Sequence, residues 1–453
     1  MSRPPNERRI DLLVVGRDVI TMNARREIVA VGKAAELRAR WPEAAVLGDP
    51  DAVITPGFVN GHHHLTGDRL VRSAIPDELA PGESIFTWAV PVHAAHSPDD
   101  DELSATIAAA ELIENGYTTI VEAGTVAHPE RVADGLRRVG ARGTVGTWGW
   151  DVDGAPYAAP AAEVLARQAE VVDRFDGGPD RLVHGWVTLV GHDLMSDELL
   201  TGASELARSR GVGITFHISP HAGDAAAYLA RTGVRPIVHF DRLGALGPHV
   251  LLAHAVHIDD AEVKTLLRTR TAVAYTPWAY LRLGQGVTAH GRHAELALAG
   301  GRIALGTDSE NAGDAVDPLR VAAVTAGIAK DQAIDPTRFG AHDALELATI
   351  GGAEAIGMAD RIGSLEVGKR ADLVVHDTSS LTWTPRSADP VLPLVWAADG
   401  RGVREVVVDG RVVVRGGRCV TVDQAALRSA AIEAAPALLA RAGIHPPSRW
   451  PVI

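Results

Sequence analysis

Histidines and one aspartate with the spacing of metal ligands are the chemically most informative residues of this 453-residue sequence. His62 and His64 are separated by one residue, so on an extended backbone both side chains point to the same side. His217, His254 and Asp308 each lie within or at the end of a different apolar run. Neutral imidazoles with one carboxylate suit Zn²⁺ or a similar divalent ion and leave a position open for water.

Each of these residues also has a simpler explanation. The histidine triplet at 62–64 could be a solvated cluster in a loop. His217 or His254 could be a core histidine satisfied by a hydrogen bond, and Asp308 could cap the helix N-terminus before SENAGD. The joint placement of these residues at the ends of four runs favours the metal centre over four separate coincidences.

The elements that must position these side chains form a repeating pattern between about residues 53 and 310. Apolar, β-rich runs alternate with Ala- and Leu-rich stretches of helical period, as expected of βα units. The eight runs are Val53 to Gly61, Thr118 to Gly124, Gly143 to Asp151, Leu182 to Gly191, Gly213 to Ser219, Val250 to Ile258, Thr271 to Trp278 and Ile303 to Asp308. This pattern predicts an α/β fold with a (β/α)8 TIM barrel, whose active site lies at the C-terminal strand ends.

Both ends of the chain differ from this pattern. They carry short strands such as DLLVVG and REVVVDGRVVV, punctuated by Gly and Asp, which predict a small β-sandwich. We therefore expect a β-sandwich built from residues 1–55 and 364–453, with the barrel, residues 56–363, inserted into it. The last 30 residues predict a terminal helix.

Composition excludes several classes of partner. The formal net charge is −13 and there is no basic block, so we expect neither nucleic acid nor a membrane surface as a partner. Cys419 is the only cysteine, which excludes an internal disulfide and a thiolate zinc cluster. The start of the chain has no apolar signal core, and no run of about 18 apolar residues occurs. We expect a cytoplasmic protein with a small-molecule substrate.

Four segments of the sequence resemble the amidohydrolase superfamily, in the branch of atrazine and triazine hydrolases and cyclic deaminases. PGFVNGHHH resembles PGxxNxHxH, LLAHAVHID resembles AHCVH, ALGTDS contains GTD, and GSLEVGKRADLVV resembles GSLExGKxADLV. The resemblance implies one catalytic metal, zinc in the first instance with Fe, Mn or Co as alternatives, and a homodimer. It also implies that His62, His64, His217 and Asp308 bind this metal, while His254 contacts the substrate or the metal water.

The sequence departs from this branch at positions that contact substrate. Deaminases of the branch carry H-x-x-E after the fifth strand, whereas this chain has Pro220 in place of the glutamate. The fourth-strand H-x-P-Y is replaced by VGHDLM, with His192 shifted from the expected position. Trp278 and Tyr280 stand where relatives carry small polar residues. These changes predict apolar pocket walls and a neutral, hydrophobic substrate.

Two further tryptophans are candidates for the substrate pocket. Trp88 lies in the loop at residues 68–98, which also holds Phe86, His93 and His96 and could form either a pocket rim or a packed surface loop. Trp150 lies at the end of the third run and is the best pocket candidate there. Such a pocket resembles those of the phenylurea and thiocarbamate (molinate) herbicide hydrolases of the same branch.

The expected reaction is hydrolysis of a urea, carbamate or amide bond. Asp308 would accept a proton from the attacking water and pass it to the leaving amine, while His254 would stabilise the oxyanion or orient the water. One alternative is deamination of a nitrogen heterocycle, with His192 or His221 in place of the missing glutamate. Another is a metal-free scaffold that has lost catalysis.

Overall fold

The computed structural model describes residues 10–16, 19–23, 27–80, 82–176, 178, 180–191, 193–448 and 450. The strands are β1 Ile10–Val15, β2 Val19–Asn23, β3 Ile28–Gly32, β4 Ala45–Gly48, β5 Val53–Pro56, β6 Phe58–His63, β7 Tyr117–Glu122, β8 Arg142–Val145, β9 Val183–Gly185, β10 Val187–Gly191, β11 Ile214–Ile218, β12 Val250–His254, β13 Ala272–Tyr275, β14 Ile303–Leu305, β15 Leu373–His376, β16 Val403–Val408, β17 Arg411–Arg415 and β18 Arg418–Cys419. The α-helices are α1 Ala34–Arg40, α2 Val90–Ala94, α3 Pro98–Glu114, α4 Pro129–Val139, α5 Ala161–Arg174, α6 Asp197–Arg210, α7 Ala222–Thr232, α8 Pro236–Arg242, α9 Asp260–Thr269, α10 Pro277–Arg282, α11 Val287–His290, α12 His293–Leu298, α13 Pro318–Ala333, α14 Ala341–Ala348, α15 Ile350–Ala355, α16 Val391–Trp396 and α17 Gln424–Ala442. Shorter helical segments are Arg69–Val71, Ser84–Ala89, Leu381–Trp383 and Gly400–Gly402.

Two parallel sheets form the centre of the molecule. One has the strand order β6-β7-β8-β9 and the other β10-β11-β12-β13-β14. Every residue of β6, β7 and β12 is buried, which explains why these strands read as continuous apolar or mixed runs rather than as alternating patterns. The predicted α/β class with parallel strands is therefore confirmed.

Helix boundaries follow local capping signals in the sequence. Ser97 caps α3 by accepting a hydrogen bond from the Asp100 amide at 3.2 Å. Asp259 caps α9 in the same way, accepting from the Glu262 amide at 2.9 Å. At the C-terminal end of α6, Gly211 adopts a φ of +66°, which glycine tolerates without steric cost. These signals mark where α3 and α9 begin and where α6 ends.

The first predicted run is divided between two sheets. Its first part, β5, pairs antiparallel with β15 in the order β18-β17-β16-β15-β5, whereas its second part, β6, belongs to a parallel sheet. The division falls at Gly57, where an added Cβ would lie 2.1 Å from Thr118 Oγ1. The single strand expected from Val53 to Gly61 is thus two strands, because the chain passes too close to β7 for any side chain at residue 57.

Strands from the N-terminal and C-terminal parts of the chain contribute to one apolar cluster. A second sheet, in the order β3-β2-β1-β4, comes from the N-terminal part alone. One apolar cluster combines Val14 and Leu47 of this sheet with Leu373, Val375 and Val407 of the β5-containing sheet. Residues 27–37 contribute β3 and then the start of α1.

Several runs end earlier than predicted, β8 and β13 among them, and the terminal helix is present. β8 ends at Val145, and β13 ends at Tyr275 because Pro277 begins α10 two residues later. The predicted terminal helix corresponds to α17, whose Leu438 packs in one apolar cluster with Leu70 and Val71. None of the helices in the described ranges is both long and apolar enough to cross a membrane.

Candidate metal centre and cavity

Four strands deliver five polar side chains to one point. His62 lies near the end of β6 with His64 just after it, His217 lies in β11, His254 ends β12, and Asp308 follows β14. Asp308 Oδ1 is 3.9 Å from His62 Nε2 and 3.7 Å from His64 Nε2. His217 Nε2 is 3.3 Å from His64 Nε2, and His254 Nδ1 is 4.0 Å from Asp308 Oδ2. The structure thus brings together all of the predicted metal-binding and catalytic residues.

The local backbone aims these side chains at the site. His63 points away from its two neighbours, and its Nδ1 lies 2.9 Å from Thr307 Oγ1. His254 and Asp308 both adopt positive φ values, +78° and +61°. This left-handed conformation is costly for residues with a Cβ and is concentrated at functional sites. Asp308 is held further by its amide, which donates to the His62 carbonyl at 3.0 Å.

The residues present fit a divalent metal ion. Both ring nitrogens of His62 are buried and have no hydrogen-bond partner among the described residues. One ligand atom from each of His62, His64 and Asp308 lies within 4.8 Å of the others, and the same holds for His62, His217 and His254. Two nitrogen ligands that each lie about 2.0–2.1 Å from a tetrahedral ion are about 3.3 Å apart. The Nε2 atoms of His64 and His217 have this separation. The donor set therefore matches a zinc-type site.

Burial sets the protonation of this cluster. Desolvation, reinforced by the neighbouring histidines, lowers the pKa values of His62 and His64 well below 6.5, so these imidazoles are neutral, the form that binds metal. Burial raises the pKa of Asp308 to about 7. Burial alone would also raise the pKa of Asp68, yet its contact with His93 holds that pKa well below its ordinary range.

A cavity of about 720 Å³ opens directly on this cluster. His64, His217, His254 and Asp308 line it together with Asp68, His93 and Thr125. Its apolar wall includes Ile85, Phe86, Val190, Leu194, Pro220 and Leu283. Its polar wall includes Asp193, His221, Asp224, His257, Gln285 and His290. The cavity thus presents both apolar surfaces and several hydrogen-bonding groups to a neutral, ring-shaped ligand.

Two of the predicted substrate contacts lie beside the cavity rather than on its described wall. Trp150 is buried, stacks on Trp148 at 4.9 Å between ring centroids, and its Nε1 donates to the Pro156 carbonyl at 2.6 Å. Trp88 packs in the apolar cluster that includes Leu438 of α17. Both indoles are committed to packing within the protein.

The two aromatic residues of α10 also lie outside the described cavity wall. Because β13 ends early, Trp278 is in a helix, and the Arg320 guanidinium lies 5.1 Å from its ring centroid. Tyr280 is buried, its hydroxyl accepts a hydrogen bond from the Thr276 amide at 3.0 Å, and its ring meets that of His254 edge-on at 5.6 Å. Tyr280 therefore supports His254. Of the remaining predicted contacts, Pro220 and His254 line the cavity and His192 lies outside the described residues.

The loop at residues 68–98 combines both predicted roles. Phe86, with 53% of its surface exposed, and His93 reach the cavity wall, whereas His96 is paired with Asp101 at 2.8 Å. Asp68 and Thr125 also line the cavity, although neither belongs to a motif predicted to contact metal or substrate. Their position soon after β6 and β7 is the signal that could have revealed them, since C-terminal strand ends face the site.

With this geometry established, the class of protein is clear. The amidohydrolase family model matches residues 53–413, so the chain belongs to the amidohydrolase family, whose members are metal-dependent hydrolases. It is accordingly an enzyme that hydrolyses carbon–nitrogen bonds.

Several known proteins are similar to this chain over most of its length. The 5-methylthioadenosine/S-adenosylhomocysteine deaminase of Syntrophobacter fumaroxidans is 30% identical over 428 residues, covering 92% of this chain and 95% of the relative. The protein of the same name from Moorella thermoacetica is 31% identical over 412 residues, covering 90% and 92%. Among solved structures, an adenosine deaminase from Xanthomonas campestris with bound zinc has a TM-score of 0.88 at 27% identity, covering 95% of this chain and 99% of that one. The atrazine chlorohydrolase of Arthrobacter aurescens TC1 shares the fold, with a TM-score of 0.82 at 21% identity, covering 94% and 100%.

Proposed function

We propose that this protein is a mononuclear, zinc-dependent aminohydrolase that removes an amino group from a nitrogen heterocycle. The observation that carries the proposal is the cluster of His62, His64, His217 and Asp308 at the base of a cavity large enough for a substituted heterocycle. The relatives named as deaminases support this substrate class over the phenylurea class expected from the sequence. Zinc is the proposed ion because of the donor set, and Fe, Mn and Co are the alternatives for metal analysis.

The residues around the ion divide the work of the reaction. A bound divalent ion makes water a good nucleophile near neutral pH. Asp308 accepts the proton of the attacking water and delivers it to the departing amine. His254, whose ring is held by the edge of Tyr280, donates to the oxygen that develops negative charge.

The ring nitrogen of the heterocycle also needs a proton, and Pro220 cannot supply it. His221, the next residue, lines the same cavity at the start of α7, and its amide donates to Asp224 Oδ2 at 2.8 Å. Burial lowers the pKa of His221 below its ordinary value. We assign His221 the transfer of the second proton of the attacking water to the ring nitrogen, because a neutral imidazole accepts a proton and its imidazolium, with a lowered pKa, readily releases it again.

Hydrolysis of a phenylurea-type or carbamate bond is the second candidate. The observation that favours it is Pro220 on the wall of a cavity that apolar groups such as Leu194 and Phe86 also line. An aniline-like leaving group needs less protonation than an amidine ring, so this reaction would not require His221.

A substrate panel distinguishes the candidates. The zinc-reconstituted enzyme would be tested with adenine nucleosides, pterins and triazines for ammonia release, and with phenylureas for aniline release. Ammonia release supports the deaminase proposal, whereas aniline release alone replaces it by the second candidate. A protein that binds no metal and releases neither product would be the inactive scaffold.

The domain arrangement and the assembly are proposed on separate grounds. We propose that the two parallel sheets close into one (β/α)8 barrel within residues 56–363, with residues 1–55 and 364–453 forming the β-sandwich. Only Trp186 separates β9 from β10, and the amides of Thr307 and Asp308 donate to the His62 carbonyl, joining the opposite edges. We also propose a homodimer, which light scattering of the purified protein would test.

A further inference from the structure

We propose that Asp68, His93 and Thr125 form a hydrogen-bond relay that fixes the tautomer and orientation of His64 and thereby strengthens metal binding. The proposal rests on the metal centre and not on the identity of the substrate. Asp68, His93 and Thr125 are positioning residues, since they act on the ion through His64.

The relay is continuous in the structure. Asp68 Oδ1 lies 2.9 Å from His93 Nε2, and His93 Nδ1 lies 2.9 Å from Thr125 Oγ1. Thr125 Oγ1 in turn lies 2.8 Å from His64 Nδ1. All four side chains are buried, with exposed fractions of 1% for Asp68 and 7% for His64. Hydrogen bonds between buried groups are shielded from competing water.

With both imidazoles in the neutral form, the chemistry of the four groups allows one direction for these bonds. A carboxylate only accepts, so His93 Nε2 carries a proton and donates it to Asp68. A neutral His93 then accepts at Nδ1 from the Thr125 hydroxyl. Thr125 has one proton, now committed, so its oxygen accepts from His64 Nδ1. His64 is left with a free lone pair on Nε2, the atom that faces His217 and Asp308.

Contacts at the distal end keep the relay rigid. The amide of Asn311 donates to Asp68 Oδ2 at 3.3 Å, so the second carboxylate oxygen also accepts a bond from the protein. The His93 ring packs against the backbone of Gly67, where a Cβ would lie 2.2 Å from His93 Cδ2. Partners of this kind orient metal-ligating histidines and raise their basicity, and their loss costs about 10–100-fold in metal affinity.

The same loop provides a matched control. His96 Nδ1 lies 2.8 Å from Asp101 Oδ1, and both side chains are buried. The other ring nitrogen of His96 contacts the Gly67 carbonyl at 3.2 Å rather than a side chain leading to the metal ligands. Asp101→Asn therefore disturbs an equally buried Asp–His pair without breaking the relay.

Zinc affinity, measured on the full-length apoprotein by competition with a chromophoric chelator, tests the proposal. Thr125→Val removes the hydroxyl at nearly constant shape, and Asp68→Asn removes the terminal carboxylate. We expect each to weaken zinc binding by about 10–100-fold, and Thr125→Ser, which keeps the hydroxyl, to remain within about threefold of the unaltered protein. Asp101→Asn should also remain within about threefold.

Three results would overturn the relay. The first is zinc affinity within about threefold of the unaltered protein for both Thr125→Val and Asp68→Asn. The second is an equal loss in Thr125→Ser and Thr125→Val, and the third is an equal loss in Asp101→Asn and Asp68→Asn. Circular dichroism identifies any variant that does not fold, in which case the other relay variant decides. Since no substrate is used, failure of the deaminase assays leaves this test intact.

Discussion

At the scale of single residues, Asp308 is the group whose replacement separates catalysis from metal binding. Asp308→Asn keeps an oxygen near the ion but loses the proton acceptor. We expect kcat to fall by about 10²–10⁴-fold while zinc content is largely retained. Steady-state kinetics and elemental analysis measure the two quantities. Asp314→Asn, which alters an Arg72 ion pair of 2.7 Å in the same segment, should leave kcat nearly unchanged.

Full activity of the Asp308→Asn variant would contradict the assigned proton transfer. Complete loss of zinc would instead show that the Asp308 carboxylate is required to hold the ion.

His221 is the residue on which the two candidate functions disagree. If the enzyme is a deaminase, His221→Gln should lower kcat by about 10²–10⁴-fold, because the ring nitrogen loses its proton donor. KM should change less, since the cavity wall keeps a polar side chain of similar size. His239→Gln, which alters a pair with Asp197 on the surface, serves as the control. Unchanged deamination by His221→Gln would exclude this role.

The sequence was sufficient to predict which residues gather at the metal site, but not which aromatic groups line the cavity. Strand ends are marked by apolar runs, and parallel strands place their C-terminal ends on the same side, so His217 and Asp308 could be assigned together. Whether the side chains of Trp150 and Trp278 face the cavity depends on where the strand before each of them ends. It also depends on which neighbouring side chains each indole packs against. Those outcomes are decided by tertiary contacts that no local pattern encodes.

At the scale of elements, one buried ion pair joins the parallel strands to the C-terminal β-strands. Arg142 begins β8, and its guanidinium lies 3.2 Å from the Asp372 carboxylate and 3.5 Å from Asp409. Arg142→Met would leave the buried Asp372 carboxylate without its counter-charge, whereas Asp409 keeps its pair with Arg370. We expect the free energy of unfolding, measured in urea, to fall by about 3–5 kcal/mol.

The exposed pair of Arg137 with Asp134 provides the comparison. These side chains are 44% and 51% exposed, so Arg137→Met should change the free energy of unfolding by less than about 0.5 kcal/mol. Equal effects of the two substitutions would show that the Arg142 pair does not hold the two parts together.

The type of a secondary-structure element could be predicted where its signals were local. The sheet that a strand joins could not be predicted in this way. The caps at Ser97 and Asp259 mark helix starts in the sequence itself. The division of the first run at Gly57 was missed, because it arises from the approach of Thr118, 61 residues further along the chain.

At the scale of the whole molecule, buried neutral histidines make folding sensitive to acid. Burial lowers the pKa of His376 to about 4, whereas a solvent-exposed histidine has a pKa of 6.5. Burial lowers the pKa of His293 to about 4 as well. Between these values the unfolded chain binds more protons than the folded one. The stabilisation is therefore complete above pH 6.5 and is lost as the pH falls toward 4.

His376 allows this effect to be measured away from the metal centre. Its Nε2 lies 3.0 Å from Thr55 Oγ1, a bond that glutamine can replace. From the two pKa values, His376 accounts for about 2 kcal/mol of the stability lost between pH 7 and 5. Urea titrations should show a loss smaller by this amount in His376→Gln. The matched substitution His342→Gln, at a side chain 63% exposed, should leave the pH dependence unchanged. Identical pH dependence in His376→Gln and the unaltered protein would mean that this histidine is protonated without cost in the folded state, and that other buried histidines such as His293 account for the acid sensitivity.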